Sequence, residues 1–110
     1  MSLLSPYSSD EPARAEVDAM TGSTVLEFGA NWCGICQAAE RTIAGALSAP
    51  TAPTSLRHLR IEDGPGRPLG RSFRIKLWPT LVMLQDGREV ARVVRPGGTR
   101  EIAEALAQLS

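Results

Sequence analysis

An α/β fold, with one mixed central β-sheet flanked by helices on both faces, is the architecture this sequence predicts, and three observations carry it. Thr24 to Ala30 (TVLEFGA) is an apolar run of strand length, apolar on both faces except at Glu27, as a central parallel strand requires. It passes directly into a helix-periodic segment and then a second short strand, which is the order of a βαβ unit. Farther on, two strand-like segments flank Asp86-Gly87, a dipeptide suited to a tight hairpin turn. With 110 residues, 43% of them hydrophobic, the chain suits a single domain over residues 1–110 that buries its core without disulfide staples.

The elements follow in chain order. Residues 1–8, with Pro6 and three serines, read as a loose lead-in. Ser9 or Asp10 then caps a helix with Pro12 in its first turn, running to about Met20 and ended by Gly22. After the 24–30 strand, Ile35, Ala39, Ile43 and Leu47 recur at helical spacing and mark a crossover helix from Cys33 to about Leu47. Pro50 and Pro53 make a loop, and Leu56 to Ile61 returns as a strand. Glu62 to Pro68 is turn material, and Leu69 to Ile75 a short helix. Thr80 to Gln85 is a buried strand and Glu89 to Arg95 its antiparallel mate. Pro96-Gly97-Gly98 breaks the ladder, and Thr99 caps a last helix with Ile102, Leu106 and Leu109 on one apolar face.

Net charge is zero, so nothing in the overall balance calls for nucleic acid or an anionic membrane as partner. Arg67, Arg71, Arg74, Lys76, Arg88, Arg92, Arg95 and Arg100 face only Asp86 and Glu89 within their segment; solvated arginines are favoured there over a surface for acidic partners. No apolar run approaches bilayer length, and the N-terminus lacks a cationic leader with an apolar core. The expected location is therefore cytoplasmic, or periplasmic if a natural leader has been removed ahead of Met1-Ser2-Leu3.

Both cysteines lie in Trp32-Cys33-Gly34-Ile35-Cys36, at the junction of strand and helix. The leading sulfur of such a pair faces unpaired N–H groups and the positive end of the helix dipole, which favour the attacking thiolate. A closed zinc site needs four ligands, and beyond these cysteines the chain offers only His58 and scattered carboxylates. A bridge closing so short a loop removes little unfolded-state entropy, so stapling is a weak reason for the pair. Dithiol redox chemistry remains, with no metal and no cofactor expected.

Three separated segments resemble the thioredoxin family: VLEFGANWCGIC its active-site strand and Cys-x-x-Cys, WPTLVMLQDG the segment opened by a cis-proline, and EVARVVRPGGTREIAEAL its last strand and helix. Together they span about residues 24 to 107. The resemblance implies a thioredoxin fold and a thiol–disulfide oxidoreductase. It makes Cys33 the nucleophile and Cys36 the resolving cysteine, which cleaves the mixed disulfide that Cys33 forms with its target. Glu27 falls where the family usually has a buried aspartate near the second cysteine. Burial is expected to raise its pKa and make it a proton acceptor for Cys36; the competing reading is an ion-paired or strand-end glutamate. Pro79 matches the cis-proline, and Trp32 and Trp78 would flank the sulfurs as an apolar rim, with Gly34 and Ile35 completing the substrate-binding surface. His58 lies where thioredoxins often place a lysine near the buried acid, although a lone histidine on a half-buried strand is more often structural.

Departures from the family pattern are specific. Ile35 stands where reducing members most often have proline and oxidising relatives often histidine; Gly29 replaces the usual tryptophan; Arg95-Pro96 replaces a Val-Gly loop. The family's first strand is expected to be short or missing. The leading reading is a monomeric reductase of disulfide-containing protein substrates, recharged by an unidentified reductase. An exported oxidant or isomerase, and a redox-inactive binding module on the same fold, are the alternatives.

Overall fold

The computed structural model describes residues 3–110. Its sheet has four strands, β1 (Ser23–Gly29), β2 (Arg57–Glu62), β3 (Thr80–Gln85) and β4 (Arg88–Val94), in the order β2-β1-β3-β4. β1 pairs parallel with β2 and antiparallel with β3, and β3 pairs antiparallel with β4, so the sheet is mixed. Four helices accompany it: α1 (Arg14–Asp18), α2 (Gly34–Leu47), α3 (Pro68–Ser72) and α4 (Thr99–Leu106).

The strand period of two sorts the core onto the two faces. Val25, Leu81, Met83 and Val93 pack with Ile43 and Ala46 of α2 and with Ile102, Ala105 and Leu106 of α4. Leu26, Phe28, Val82, Leu84 and Ile61 point the other way, against Val17 of α1, Leu69 of α3 and Phe73. Every residue of β1 is buried, which explains its lack of polar alternation. At the hairpin Asp86 and Gly87 both have positive φ, 50° and 79°, the backbone that a two-residue turn between right-twisted strands demands.

Three sequence expectations are corrected. Residues 3–8 are not a loose lead-in: Ser8 forms a parallel bridge with Ile61 on the outer edge of β2, Leu4 N–H donates to Glu40 Oε1 at 3.0 Å, and Tyr7 is 5% exposed. Met1 and Ser2 lie outside the described residues. Because the β2 edge pulls this segment extended, the first helix starts only after Ala13 and leaves Ser9, Asp10 and Pro12 outside it. Thr99 is the first residue of α4 rather than its cap; Gly98 holds the cap position, and Glu101 Oε1 accepts from Gly97 N–H at 2.7 Å. The bridge at Ser8 is all that occupies the place of a further edge strand among the described residues.

Among the described residues no helix is long and apolar enough to cross a membrane.

Candidate active site

Chain direction brings the two cysteines to the top of the sheet. β1 ends at Gly29, a short connection follows, and α2 starts at Gly34 with Cys33 as its N-cap. Cys33 Sγ accepts the backbone N–H of Cys36 at 3.2 Å, so this sulfur satisfies one of the donors that the first helical turn leaves unpaired. Both thiols are unbridged. Cys33 is 9% exposed and Cys36, one turn inside, 1%. Burial, together with hydrogen bonding to Cys33, pushes the Cys36 thiol up to about 11.

An apolar surface adjoins the pair. Trp32 is 77% exposed, Ile35 and Leu77 nearly half exposed, and Gly34 is also at the surface. The Trp32 and Trp78 rings meet edge to face with centroids 5.6 Å apart, so they form one continuous aromatic patch. Trp78 packs on the cluster of Tyr7, Ala30, Cys33 and Cys36, and its Nε1 donates to Asp63 Oδ2 at 2.9 Å. The Trp78–Pro79 peptide bond is cis. Pro79 is buried at the entry to β3; its carbonyl accepts from Arg95 N–H at 2.9 Å, and Arg95 Nε donates to the Trp78 carbonyl at 2.8 Å.

On β1, Glu27 is fully buried and fully partnered. Parallel pairing sets Arg60 of β2 opposite Glu27, and the strand period puts His58 on the same face. Arg60 donates from Nε to Oε1 at 3.1 Å and from Nη2 to Oε2 at 3.0 Å, His58 Nε2 lies 2.9 Å from Oε1, and the Tyr7 hydroxyl donates to Oε2. Burial opposes ionisation of Glu27, but the hydrogen bonds from His58, Arg60 and Tyr7 outweigh it and hold the carboxyl below its ordinary value. The expected rise in its pKa is thus reversed, and Glu27 is ion-paired with Arg60. His58 does reach the buried acid.

Tyr7 and Arg60 are the residues that sequence reasoning missed. Alternation in Arg57-His58-Leu59-Arg60 marks His58 and Arg60 as sharing a face, but not which strand that face meets. Nothing local marks the chain's single tyrosine, which is brought in from a Ser- and Pro-rich segment. Asn31 anchors it, accepting Tyr7 N–H at 2.8 Å and donating to the Tyr7 carbonyl at 3.1 Å, while Arg60 Cζ stands 4.0 Å from the ring centroid.

Gly29 makes room for this tyrosine. A Cβ there would stand 2.6 Å from Tyr7 Cζ, 2.7 Å from its Oη and 2.9 Å from Cys36 Sγ. Gly29→Ala is therefore expected to destabilise the fold by about 1–3 kcal/mol, the usual cost of overpacking, read as a lower denaturant midpoint. An unchanged midpoint would show that Tyr7 is not held against Gly29.

Comparison with known proteins agrees with this geometry. Residues 7–108 match the Thioredoxin family model. Thioredoxin Asp f 28 of Aspergillus fumigatus is 28% identical over 101 residues, covering 92% of this chain and 91% of its own. A thioredoxin of Chlamydia caviae is 31% identical over 74 residues, covering 67% of this chain and 70% of its own. Among solved structures, thioredoxin 2 of Pseudomonas aeruginosa in its reduced form is 54% identical, with a TM-score of 0.80 over 92% of this chain and 91% of that one.

Proposed function

The chain belongs to the thioredoxin family and is a thiol–disulfide oxidoreductase, and from that premise we propose that it reduces protein disulfides in the cytoplasm as a monomer. The observation that carries the reading is the pair of unbridged thiols at one helix start, the outer one capping the helix and the inner one buried, beside an exposed aromatic patch.

In this reading the Cys33 thiolate attacks one sulfur of a substrate disulfide; the substrate S–S bond breaks and one substrate thiolate departs. Cys36 then loses its proton and attacks Cys33 Sγ. The Cys33–Cys36 bond forms, the mixed disulfide breaks, and the second substrate sulfur leaves with the electron pair. Two electrons have passed to the substrate, and a partner reductase returns them. Trp32, Gly34, Ile35, Trp78 and Pro79 form the surface on which an extended substrate lies. Glu27 accepts the Cys36 proton. Its lowered pKa is compatible with this role when proton transfer accompanies S–S bond formation, because the thiol proton becomes far more acidic as its sulfur gains a second bond.

The discriminating experiment is the Cys33–Cys36 reduction potential, measured against glutathione. A reductase is expected to lie near about −270 mV, whereas a value above about −180 mV would assign the chain to disulfide oxidation or isomerisation.

A further inference from the structure

We propose that the Tyr7 hydroxyl carries the proton of the resolving step, taking it from the Cys36 thiol and delivering its own to Glu27. The proposal rests on the reading of Glu27 as the acceptor and adds the group that connects it to the sulfur.

A carboxylate offers about four lone-pair positions. At Glu27 all four are engaged: His58 Nε2 and Arg60 Nε at Oε1, Arg60 Nη2 and the Tyr7 hydroxyl at Oε2. None is left for a direct bond from the Cys36 thiol. Arg60 donors cannot carry a thiol proton, because the guanidinium stays charged and has no acceptor. Tyr7 is different in kind. Its oxygen has one proton to give, already directed at Glu27, and lone pairs that accept a second donor. The thiol is placed to be that donor: Tyr7 and Cys36 pack in one buried cluster, and Tyr7 Oη and Cys36 Sγ both lie within 3 Å of the point where a Gly29 Cβ would stand. The ring is fixed by the two Asn31 bonds to its backbone and by the Arg60 guanidinium over its face. Burial first, and then the Glu27 charge, drive the phenol well above its ordinary pKa, so it relays as a neutral hydroxyl and never as a resting phenolate.

The step balances as follows. As Cys36 Sγ bonds to Cys33 Sγ, the Cys36 S–H bond breaks and its proton moves to Tyr7 Oη, whose own proton passes to Glu27 Oε2. The bond between Cys33 and the substrate sulfur breaks, and that sulfur leaves with the electron pair. Glu27 afterwards returns its proton to water, and Tyr7 ends as it began. An open cleft of about 440 Å³, lined by Tyr7, Asn31, Cys36, Glu40 and Arg60, adjoins the Tyr7 end of this path.

The test uses the reduced full chain and a dithiobis-nitrobenzoate, which releases one coloured thiolate when Cys33 attacks and a second when Cys36 resolves. Tyr7→Phe keeps the ring and removes the relay. Its first phase is expected within about twofold of wild type, and its second about ten- to a hundredfold slower at neutral pH, the deficit shrinking as rising pH ionises Cys36 unaided. Glu27→Gln should show the same pattern, and the double variant should be no slower than either single one. In the unmodified protein the second phase should depend on solvent deuterium fraction along a curve, because two protons move; in Tyr7→Phe the dependence should be linear. A slow Glu27→Gln with a normal Tyr7→Phe overturns the relay and leaves Glu27 as acceptor. A normal Glu27→Gln overturns the acceptor and the relay with it. Equal slowing of both phases at every pH, or a linear dependence in the unmodified protein, means that Tyr7 only packs.

Discussion

Cys33→Ser is expected to remove disulfide reductase activity, measured with insulin as substrate, by at least about 10⁴-fold, because the lost atom is the one that forms the covalent intermediate. Cys36→Ser should behave differently. Cys33 keeps its position as helix cap and its bond from the backbone N–H of residue 36, so attack still occurs, but no thiol remains one turn inside to release the product. The variant should accumulate a mixed disulfide, seen as a mass gain equal to one substrate half and reversed by dithiothreitol. Alkylation of the wild-type dithiol should reach Cys33 first, since it is the less buried sulfur and Cys36 is pushed up to about 11. Turnover by Cys33→Ser, or a stable adduct on Cys36 in place of Cys33, would reverse the assignment.

Arg60→Leu should cost about 3–5 kcal/mol of folding stability, the usual consequence of breaking a buried ion pair from one side. The variant leaves Glu27, fully enclosed, with only His58 and Tyr7 as partners. In the wild type the folded-state pKa of Glu27 lies below its ordinary 4.5, so its contribution to stability is present above that value and is lost as pH falls through the depressed one. Without Arg60 the burial penalty dominates and the folded-state pKa rises. The variant's deficit should then be largest near neutral pH and narrow in acid, as Glu27 takes up a proton and the uncompensated charge disappears. Denaturant midpoints at neutral pH and about pH 4 read this directly. Adding Glu27→Gln to Arg60→Leu should recover part of the loss, because it removes the stranded charge. A deficit independent of pH, or no recovery in the double variant, would mean that Arg60 acts through its packing on Tyr7 rather than through its charge.

Local pattern carried most of the framework. The apolar run ending at Gly29, the helical spacing from Ile35 to Leu47, the Thr80–Gln85 strand and the Asp86-Gly87 turn each state their conformation in a few consecutive residues. Placement of the Cys-x-x-Cys between a strand and a helix likewise settled which chemistry to look for. By contrast, the surroundings of Glu27 depend on which residue of β2 stands opposite it. That parallel register is fixed by burial across the whole sheet and by no neighbour in sequence, so neither the Arg60 pair nor the direction of the pKa shift was legible. Residues 3–8 show the same limit more sharply. Proline, serines and a lone tyrosine describe a segment with no conformation of its own; only the exposed edge of β2 and the space above Gly29 make it extended and bring Tyr7 to the buried carboxylate. Sequence alone thus determined the elements from β1 onward, the fold and the redox pair, because those are written in local periodicity and spacing. Tertiary structure decided the charge state and the hydrogen-bonded company of the buried acid, because contacts between residues 20 to 33 positions apart follow from packing.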